Sequence, residues 1–564
     1  MQELTSDRRN EGLIVATRPV AAPILSIGDA DLRRLARPAA VVLALGLLVY
    51  LAGTWSGYGV AADEPERQRY GRLLLDFLRS GFSDTGLLLQ AAQITGGGLF
   101  DLLAATLEAL WHGPVWDLRH LLSGVWGLAG MLAVWRLAKL LGGETAALLA
   151  VVILALTGAW TGALFTHTRE IPLAASMSWA LYFLTRLVAG WPRLDPLHAF
   201  GFGASAGAAL AIGNGAWSMP VCLVLSLLVT SRRARSVAAP GQRRVLRVLA
   251  PGLVAGLVLV ALGRPVLWPG LAAAEVSAVV PTLVDGRLLL SSEVPRSYLH
   301  DYLVVKLPEL MLIGLALALG GRPWRTDDPA AAARERPMVA PHGGQPVHLP
   351  LALAITLPMA YAWLLRPALA DGLRQFLFLL PPLAVAAALG WRLFWQALRG
   401  NAVAAWSVAA VAGLLVAIHM ATLMHLQPYG HVFYNSLAGG LRGAAQGWVL
   451  DYNASSLREN VAYLEQHYGF EADGARVAVL VCGDPDLVRA WLPSPLEATR
   501  DASRADFLIA AGRPGCRERG AGEVIHAVSR RGVVLGQVVA LHAARPPAAT
   551  PNAYSTTRAG RASP

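Results

Sequence analysis

Two adjacent carboxylates, Asp63 and Glu64, follow the first long apolar stretch of the 564-residue chain. That stretch covers residues 39–58 and is long enough to cross a bilayer as a helix. Residues that anchor the mouth of a membrane helix are usually Trp, Tyr, Lys or Arg, so an acidic pair is not needed for anchoring. The pair therefore predicts chemistry at the membrane surface, either as a base or as ligands of a divalent cation such as Mg²⁺ or Mn²⁺.

Other ionisable residues border three later apolar stretches, in the segments DLRHLL, THTREIP and ADGLRQF. Such residues are costly at membrane depth, so they predict function, although snorkelling or loop solvation is the alternative for any single one. Arginines bind phosphate bidentately, and a carboxylate takes a proton from a hydroxyl or amine. The set predicts a site for a phosphorylated lipid and an acceptor, and it consists of Arg119, His120, His167, Arg169, Glu170, Asp371 and Arg374.

The composition is that of a membrane protein. Hydrophobic residues make up 55% of the chain and charged residues 15%, with a mean hydropathy of +0.47, whereas soluble chains carry about a quarter charged residues. Apolar stretches of about 18 to 24 residues predict an all-α, polytopic bundle of about eleven transmembrane helices. The predicted spans are 39–58, 117–140, 144–166, 170–190, 197–212, 214–230, 245–264, 302–320, 349–366, 374–393 and 402–424.

The net charge of +11 comes from arginines beside the spans and not from one basic face, which argues against a nucleic-acid-binding protein. With a cytoplasmic N-terminus, the Arg-rich loops 231–247, 321–336 and 391–399 all fall inside, as the positive-inside rule requires. The charged set, the loop 59–116 and the chain beyond the last span then lie on the outer side.

Two parts of the outer side are predicted to be structured. In the first outer loop, residues 70–78 and 99–110 have helical spacing, which predicts interfacial helices or helices that pack under the loop. Near the C-terminus, a helix capped by Ser455, several strand-like runs and an Arg530-Arg531-Gly532 hairpin turn predict a small α/β domain. The predicted divisions are a cytoplasmic tail (1–37), a transmembrane domain (38–426), an outer α/β domain (427–545) and a disordered tail (546–564).

The chain has three cysteines. Cys222 lies in a predicted span and is most simply an apolar core residue. Cys482 and Cys516 fall in the outer domain, where disulfides persist, so we expect either a Cys482-Cys516 bridge or two free thiols. No spacing of Cys and His predicts a zinc site.

Several stretches, in their order along residues 40–540, resemble the GT-C superfamily of integral-membrane glycosyltransferases. The resemblance is to bacterial proteins of the branch similar to protein O-mannosyltransferases and lipid A aminoarabinose transferases, related to glycosyltransferase family 39. The stretches are DEPERQRYG from Asp63, GGLFDLLAATL with DLRHLLSGVWGL and RLAKLLGG from Gly97, THTREIPLAA from Thr166, EVPRSYLHDYLVVKLPE from Glu293, DGLRQFLFLLPP from Asp371 and YNSLAGGLRGAAQGWVLDYNASSLRE from Tyr434.

The resemblance implies a GT-C fold and an inverting glycosyltransferase. Its donor would be a polyprenyl-phosphate-linked sugar, and its acceptor an envelope lipid, polysaccharide or protein at the outer face of the bacterial inner membrane. Asp63 or Glu64 would act as the base with help from Glu170; we favour Asp63, which is nearer the span end, with Glu64 as its partner or as a metal ligand. The donor phosphate would lie near Arg119, His120, Arg169 and Arg374, in a cavity that includes Tyr70, His167 and Asp371.

Three motifs depart from the family pattern. Asn214-Gly215-Ala216-Trp217 stands where an Arg is common after the fifth span. His167-Thr168-Arg169-Glu170 stands where relatives usually read Asn-Pro-Lys-Asp, and Asp451-Tyr452-Asn453-Ala454 stands where Asp-Tyr-Trp-Gly is usual. These changes leave open a catalytically inactive relative that acts as an envelope scaffold. A lipid or sugar transporter is the other alternative, although it would need ionisable residues near the bilayer midplane and repeated broken helices.

Overall fold

The structure is a computed structural model, and it describes residues 29–84, 86–87, 96–233, 241–264, 279–320, 345–398, 401–468, 476–512 and 522–541. Helices dominate these residues. The longer helices are α1 (Asp29–Thr54), α2 (Glu64–Arg79), α3 (Leu99–Glu108), α4 (Val115–Ala155), α5 (Glu170–Gly190), α6 (Pro196–Ile212), α7 (Ser218–Arg233), α8 (Gln242–Gly263), α9 (Tyr298–Lys306), α10 (Glu309–Gly320), α11 (Leu349–Leu365), α12 (Leu380–Ala397), α13 (Ala402–Leu426) and α14 (Leu457–Tyr468).

Seven helices among the described residues are long and apolar enough to cross a membrane, or up to eight if each bent pair of helices is one span. The helices α6 and α11 are shorter but also apolar. In α1, α8 and α13 the most apolar windows are only 11%, 17% and 6% buried within the protein, so these helices present apolar surface that suits lipid. The chain is a multi-pass membrane protein, and the predicted polytopic helical bundle is confirmed.

Two predicted spans have the wrong boundaries. α4 is kinked at Gly143, which is not helical (φ 78°, ψ −172°), so the predicted break between 117–140 and 144–166 is present. The span predicted at 144–166 ends early, because α4 ends at Ala155 and a single-turn helix, Gly158–Thr161, follows it. The span predicted at 302–320 is two helices, α9 and α10, bent by 118°. Leu307 is extended, with φ −77° and ψ 140°, as expected for a residue before a proline, here Pro308.

The loop 59–116, which is predicted to lie on the outer side, contains two helices, α2 and α3, at the places where the sequence predicts them. They pack closely because Gly71 has no side chain, and a Cβ there would collide with the backbone of Asp101. The ring of Tyr70 fills the space beside Gly98 in the same way. Their position at the membrane interface stays a prediction.

The segment between α8 and α9 contains a hairpin that the sequence analysis missed. Strands β1 (Pro281–Val284) and β2 (Arg287–Leu290) pair in antiparallel register. Asp285 and Gly286 connect them with φ values of 47° and 75°. Two consecutive positive φ values define the turn that an Asp-Gly pair favours, so this dipeptide was the available sequence signal.

The C-terminal part forms a five-stranded sheet in the order β4-β3-β5-β7-β6. β3 is parallel to β4 and β5, and β7 is antiparallel to β5 and β6. Apolar residues of α14 pack on the sheet in a common core, which confirms the predicted α/β fold. The strands are β3 (Val477–Val481), β4 (Leu496–Thr499), β5 (Phe507–Ala511), β6 (Glu523–Arg530) and β7 (Val533–Ala540).

Two details of this region bear on the predictions. Ser455 does not cap α14, because its hydroxyl has no hydrogen-bond partner among the described residues. The carboxylate of Asp451 instead accepts hydrogen bonds from the backbone N–H groups of Ser455 and Ser456, at 3.0 and 2.9 Å. Cys482 is buried and disulfide-bonded, whereas Cys516, its predicted partner, lies outside the described residues. The predicted tail 546–564 also lies outside them.

Candidate functional site

Arg374 lies at the centre of three carboxylates, a group that we call the Arg374 cluster. Its Nη2 pairs with Asp63 Oδ2, its Nε lies 3.1 Å from Glu170 Oε1, and its Nη1 lies 3.4 Å from Asp371 Oδ2. Arg169 Nη2 donates to the same Glu170 oxygen at 2.8 Å. These five predicted site residues come from three segments that are distant in sequence, and the fold brings them together.

The local backbone explains why these side chains converge. Asp63 precedes the first residue of α2 but its side chain makes no capping hydrogen bond, because the carboxylate faces Arg374 instead. Glu170 is the first residue of α5, and carboxylates at helix N-termini are stabilised by the helix dipole. Asp371 and Gly372 both have positive φ, 59° and 68°, and this bend turns the Asp371 carboxylate back towards Arg374.

The cluster combines burial with access. The side chain of Glu170 is 5% exposed and that of Arg374 is 11% exposed, whereas Asp63 keeps 30% exposure. Burial alone would raise the pKa of Asp63, but the guanidinium of Arg374 and the charge of Arg169 hold it below its ordinary value. Asp63 is therefore an ionised carboxylate that a second molecule can reach.

Arg67 lies near the charges of the Arg374 cluster, and the sequence analysis did not select it. It is buried, and its Nη1 donates to the Gly97 carbonyl at 3.1 Å and lies 3.5 Å from Asp101 Oδ2. Burial and the neighbouring positive charge of Arg169 lower its pKa. Its place in the DEPERQRYG stretch was the only sequence signal for it.

A second group of charges, which we call the sealed network, contains Glu64, Asp101, Arg119 and His120. Glu64 Oε2 accepts from the Ala61 N–H at 2.8 Å and lies 3.1 Å from His120 Nε2. Arg119 Nη2 lies 2.6 Å from Asp101 Oδ1. The side chains of Glu64, Arg119 and His120 are 0% exposed, so the structure does not bring these three predicted site residues into the Arg374 cluster.

The remaining two predicted cavity residues have different surroundings. Tyr70 is buried against Leu74 and Phe77, in the core that α2 forms with its neighbours. His167 is buried with its Nε2 2.7 Å from the hydroxyl of Tyr452. Burial lowers the pKa of His167 to about 3, so its imidazole is neutral at ordinary pH.

The acidic pair does not fit a shared metal site. Asp63 is paired with a guanidinium and Glu64 with an imidazole, so their carboxylates are committed to different partners. Across the described residues, no three His, Cys, Asp or Glu side chains are grouped so as to hold a metal ion. We therefore derive no catalytic step through a metal at this pair.

The comparison with protein families gives one match. Residues 99–268 match the family described as dolichyl-phosphate-mannose-protein mannosyltransferase. The matched segment includes α3, the start of α4 with Arg119 and His120, and the start of α5 with Arg169 and Glu170. This match confirms the resemblance to GT-C glycosyltransferases. It supports activity as a transferase. No curated protein sequence matches the chain.

The comparison with solved structures gives matches at low sequence identity. ArnT from Cupriavidus metallidurans in the apo state is 15% identical, with a TM-score of 0.46, over 90% of this chain and 99% of that protein. The same protein bound to undecaprenyl phosphate is 16% identical, with a TM-score of 0.41, over 89% and 98%. The Archaeoglobus fulgidus oligosaccharyltransferase tethered with an acceptor peptide is 13% identical, with a TM-score of 0.42, over 84% and 65%.

Proposed function

We propose that the chain is an inverting glycosyltransferase that moves a sugar from a polyprenyl-phosphate carrier to an envelope lipid, glycan or protein. The observation that carries this proposal is the Arg374 cluster, in which a partly exposed carboxylate contacts an arginine at the start of a membrane helix. The matched family supports a lipid-phosphate donor, since its description names dolichyl phosphate mannose.

The proposed reaction is a direct displacement at the anomeric carbon. The acceptor oxygen or nitrogen forms the new bond to this carbon while the bond to the phosphate oxygen breaks. Asp63 takes the acceptor proton, and the carrier phosphate leaves with the bonding electron pair. Arg374 and Arg169 stabilise the negative charge of that phosphate, as bidentate arginine–phosphate contacts do.

Binding of the donor would change the basicity of Asp63. With Arg374 turned to the carboxylates, the pKa of Asp63 is lowered, which makes it a weak base. A phosphate that shares Arg374 withdraws part of this stabilisation, so Asp63 accepts a proton more readily when donor is bound. The cluster thereby couples donor binding to proton transfer.

Glu170 has the supporting role in this scheme. Its Oε1 forms ion pairs with both Arg169 and Arg374, so Glu170 holds the two guanidinium groups beside each other. Its Oε2 is buried and has no hydrogen-bond partner among the described residues. We propose that it positions the arginines and that Asp63, with its greater exposure, receives the proton.

For Glu64, Arg119, His120 and Tyr70 the geometry favours a structural role. Their predicted roles in catalysis, phosphate binding and the substrate cavity stay predictions, because each is buried in other contacts. We further propose a bacterial inner-membrane location with a cytoplasmic N-terminus, with the Arg374 cluster and the α/β domain 427–545 on the outer face.

The test compares cells with and without the protein, followed by mass spectrometry of the envelope lipids, polysaccharides and proteins. We expect a glycosyl group to disappear from one fraction and to return with the wild-type chain or with Glu465→Gln, an exposed carboxylate on α14 that serves as control. No difference in any fraction would contradict the proposal and favour the scaffold alternative.

A further inference from the structure

The turn between β6 and β7 packs against the C-terminal end of the membrane helix α13. Leu423 of α13 shares a hydrophobic core with Val533 and Leu535 of β7. The turn consists of Arg531 and Gly532, whose φ values are 49° and 79°. Two consecutive positive φ values favour Asn, Asp or Gly at the first position, so the turn geometry does not explain an arginine there. The contacts of its side chain are the alternative explanation.

The side chain of Arg531 follows α13 back towards the membrane. Its Nη2 donates to Thr422 Oγ1 at 3.3 Å. α13 ends at Leu426, so Thr422 lies about 6 Å before the helix end. Met420 and Met424 of the same helix expose apolar surface, as residues that face lipid do. The guanidinium therefore lies where the apolar surface of a membrane helix ends, which is the level of the lipid phosphates.

A second arginine, Arg442, lies against the same turn. It belongs to a short helix, Gly440–Ala444, and its Nε donates to the Arg531 carbonyl at 2.7 Å. Its Nη2 lies beside Gly532, where a Cβ would be only 3.1 Å away. The two arginines and Thr422 thus belong to one surface at the end of α13, which we call the turn surface.

The positive charges of the turn surface are not balanced by the protein. Arg442 and Arg531 are exposed, and within the described part of the chain neither forms an ion pair with a carboxylate. The nearby carboxylate of Glu459 pairs with Arg530 instead. A guanidinium has five N–H donors, and each of these two uses one of them in a hydrogen bond to a described residue. The remaining donors are free to bind an anion.

We propose that the turn surface binds the phosphate of an anionic phospholipid, in the leaflet that faces the C-terminal end of α13. Guanidinium groups bind phosphate bidentately, and the apolar surface of α13 next to them suits the acyl chains. A soluble anion would gain the charge contacts without the apolar ones. The inference goes beyond the proposed transfer reaction and is independent of it, because it uses only the position of α13 as a membrane helix.

The test measures the binding of phosphatidylglycerol and phosphatidylcholine to the purified full-length protein by native mass spectrometry. An arginine near a membrane surface contributes about 5-fold to the affinity for anionic lipid. In the double variant Arg442→Gln/Arg531→Gln we therefore expect one phosphatidylglycerol site to weaken about 25-fold, while phosphatidylcholine binding stays unchanged. The difference from wild type separates this site from lipid that binds at the Arg-rich loops. Unchanged phosphatidylglycerol binding would overturn the proposal.

Two further variants separate charge from structure. Arg442→Lys/Arg531→Lys keeps both charges and should lose less than about 5-fold in phosphatidylglycerol affinity. Arg476→Gln removes an exposed arginine that pairs with Glu497, and it should bind lipid like the wild type. If the lysine and glutamine double variants lose the same affinity, the arginines act through their hydrogen bonds within the protein, and the proposal is overturned.

The soluble alternative is tested with inorganic phosphate. Millimolar phosphate should not displace phosphatidylglycerol from the wild-type protein, and displacement would overturn the proposal of a lipid site in favour of a soluble anion. If the glutamine double variant does not accumulate in the membrane, the single variants Arg442→Gln and Arg531→Gln decide the question. Each should weaken phosphatidylglycerol binding about 5-fold, and wild-type affinity in both would contradict the proposal.

Discussion

Asp63 and Glu64 are neighbours in the chain but belong to two different electrostatic environments. Asp63 is partly exposed and pairs with Arg374, which also holds Glu170 and Asp371. Glu64 is fully buried and meets His120 and a backbone N–H. The two carboxylates separate because Asp63 precedes α2 and Glu64 begins it, so that their side chains leave the chain in different directions.

The comparison distinguishes a group of charges that can bind a substrate from a group that supports the packing of helices. The sealed network pairs its charges with one another and excludes solvent, which suits the packing of α2 and α3 against α4, but Glu64 Oε1, Arg119 Nε and Nη1 and His120 Nδ1 have no hydrogen-bond partner among the described residues. The Arg374 cluster contains Asp63 and Asp371, whose side chains remain 30% and 28% exposed, so a substrate can replace part of the ion pairing. The presence of many charged residues beside the spans therefore does not by itself indicate which of them face a ligand.

The largest effect on stability is expected for Arg119→Met. This change leaves the buried carboxylate of Asp101 with Arg67 as its remaining ion-pair partner, at 3.5 Å. Removing one partner of a buried pair costs about 3–5 kcal/mol, which denaturant unfolding of the purified protein would measure. The control Arg476→Gln breaks an exposed pair with Glu497 and should cost less than about 1 kcal/mol. If the Arg119→Met protein were stable but impaired in transfer, the result would contradict a structural role and support the predicted contact of Arg119 with the donor phosphate.

A loss of activity rather than stability is expected for Arg374→Gln. The variant removes the guanidinium that contacts Asp63 and, in our proposal, the donor phosphate, so transfer should fall about 10²- to 10³-fold. Stability should fall less than in Arg119→Met, because Arg169 still pairs with Glu170 at 2.8 Å. The measurement is kcat/KM beside an unfolding curve for each variant. A larger stability loss in Arg374→Gln than in Arg119→Met would reverse the comparison.

A smaller effect concerns pH and His167. The pKa of this histidine is lowered from 6.5 to about 3 in the folded protein. As pH falls from about 6.5 towards 3, the unfolded chain binds a proton that the folded protein does not, so stability falls by up to about 1.4 kcal/mol per pH unit. His167→Gln should flatten this dependence in unfolding measurements, and exposed His300→Gln should leave it unchanged. Equal slopes in wild type and His167→Gln would contradict a buried neutral His167.

Much of the fold could be predicted from the sequence because membrane helices depend on local composition. The apolar stretches, the two helices of the first outer loop and the Arg530-Arg531-Gly532 turn all follow from short-range patterns. The break between α9 and α10 was missed, although Pro308 marks it. The kink within α4 agrees with the sequence analysis, because Gly143, with φ 78° and ψ −172°, is not helical and lies between the spans predicted at 117–140 and 144–166.

The site was predictable only in part. Asp63, Arg169, Glu170, Asp371 and Arg374 were found because charges beside spans are rare, and they do meet. The same criterion selected Arg119 and His120, since nothing in the local sequence reveals that Asp101 and Glu64 pair with them. Arg67 was not selected, because its neighbours in space are distant in the chain.

The central claim is that Asp63, and not its neighbour Glu64, performs the proton transfer. The most direct measurement compares Asp63→Asn with Glu64→Gln in a transfer assay with purified protein and a labelled polyprenyl-phosphate sugar. We expect Asp63→Asn to lose about 10²- to 10⁴-fold in kcat, as removal of a general base does, while folded Glu64→Gln keeps most of its activity. Wild-type kcat in Asp63→Asn, or a comparable loss in folded Glu64→Gln, would contradict the account.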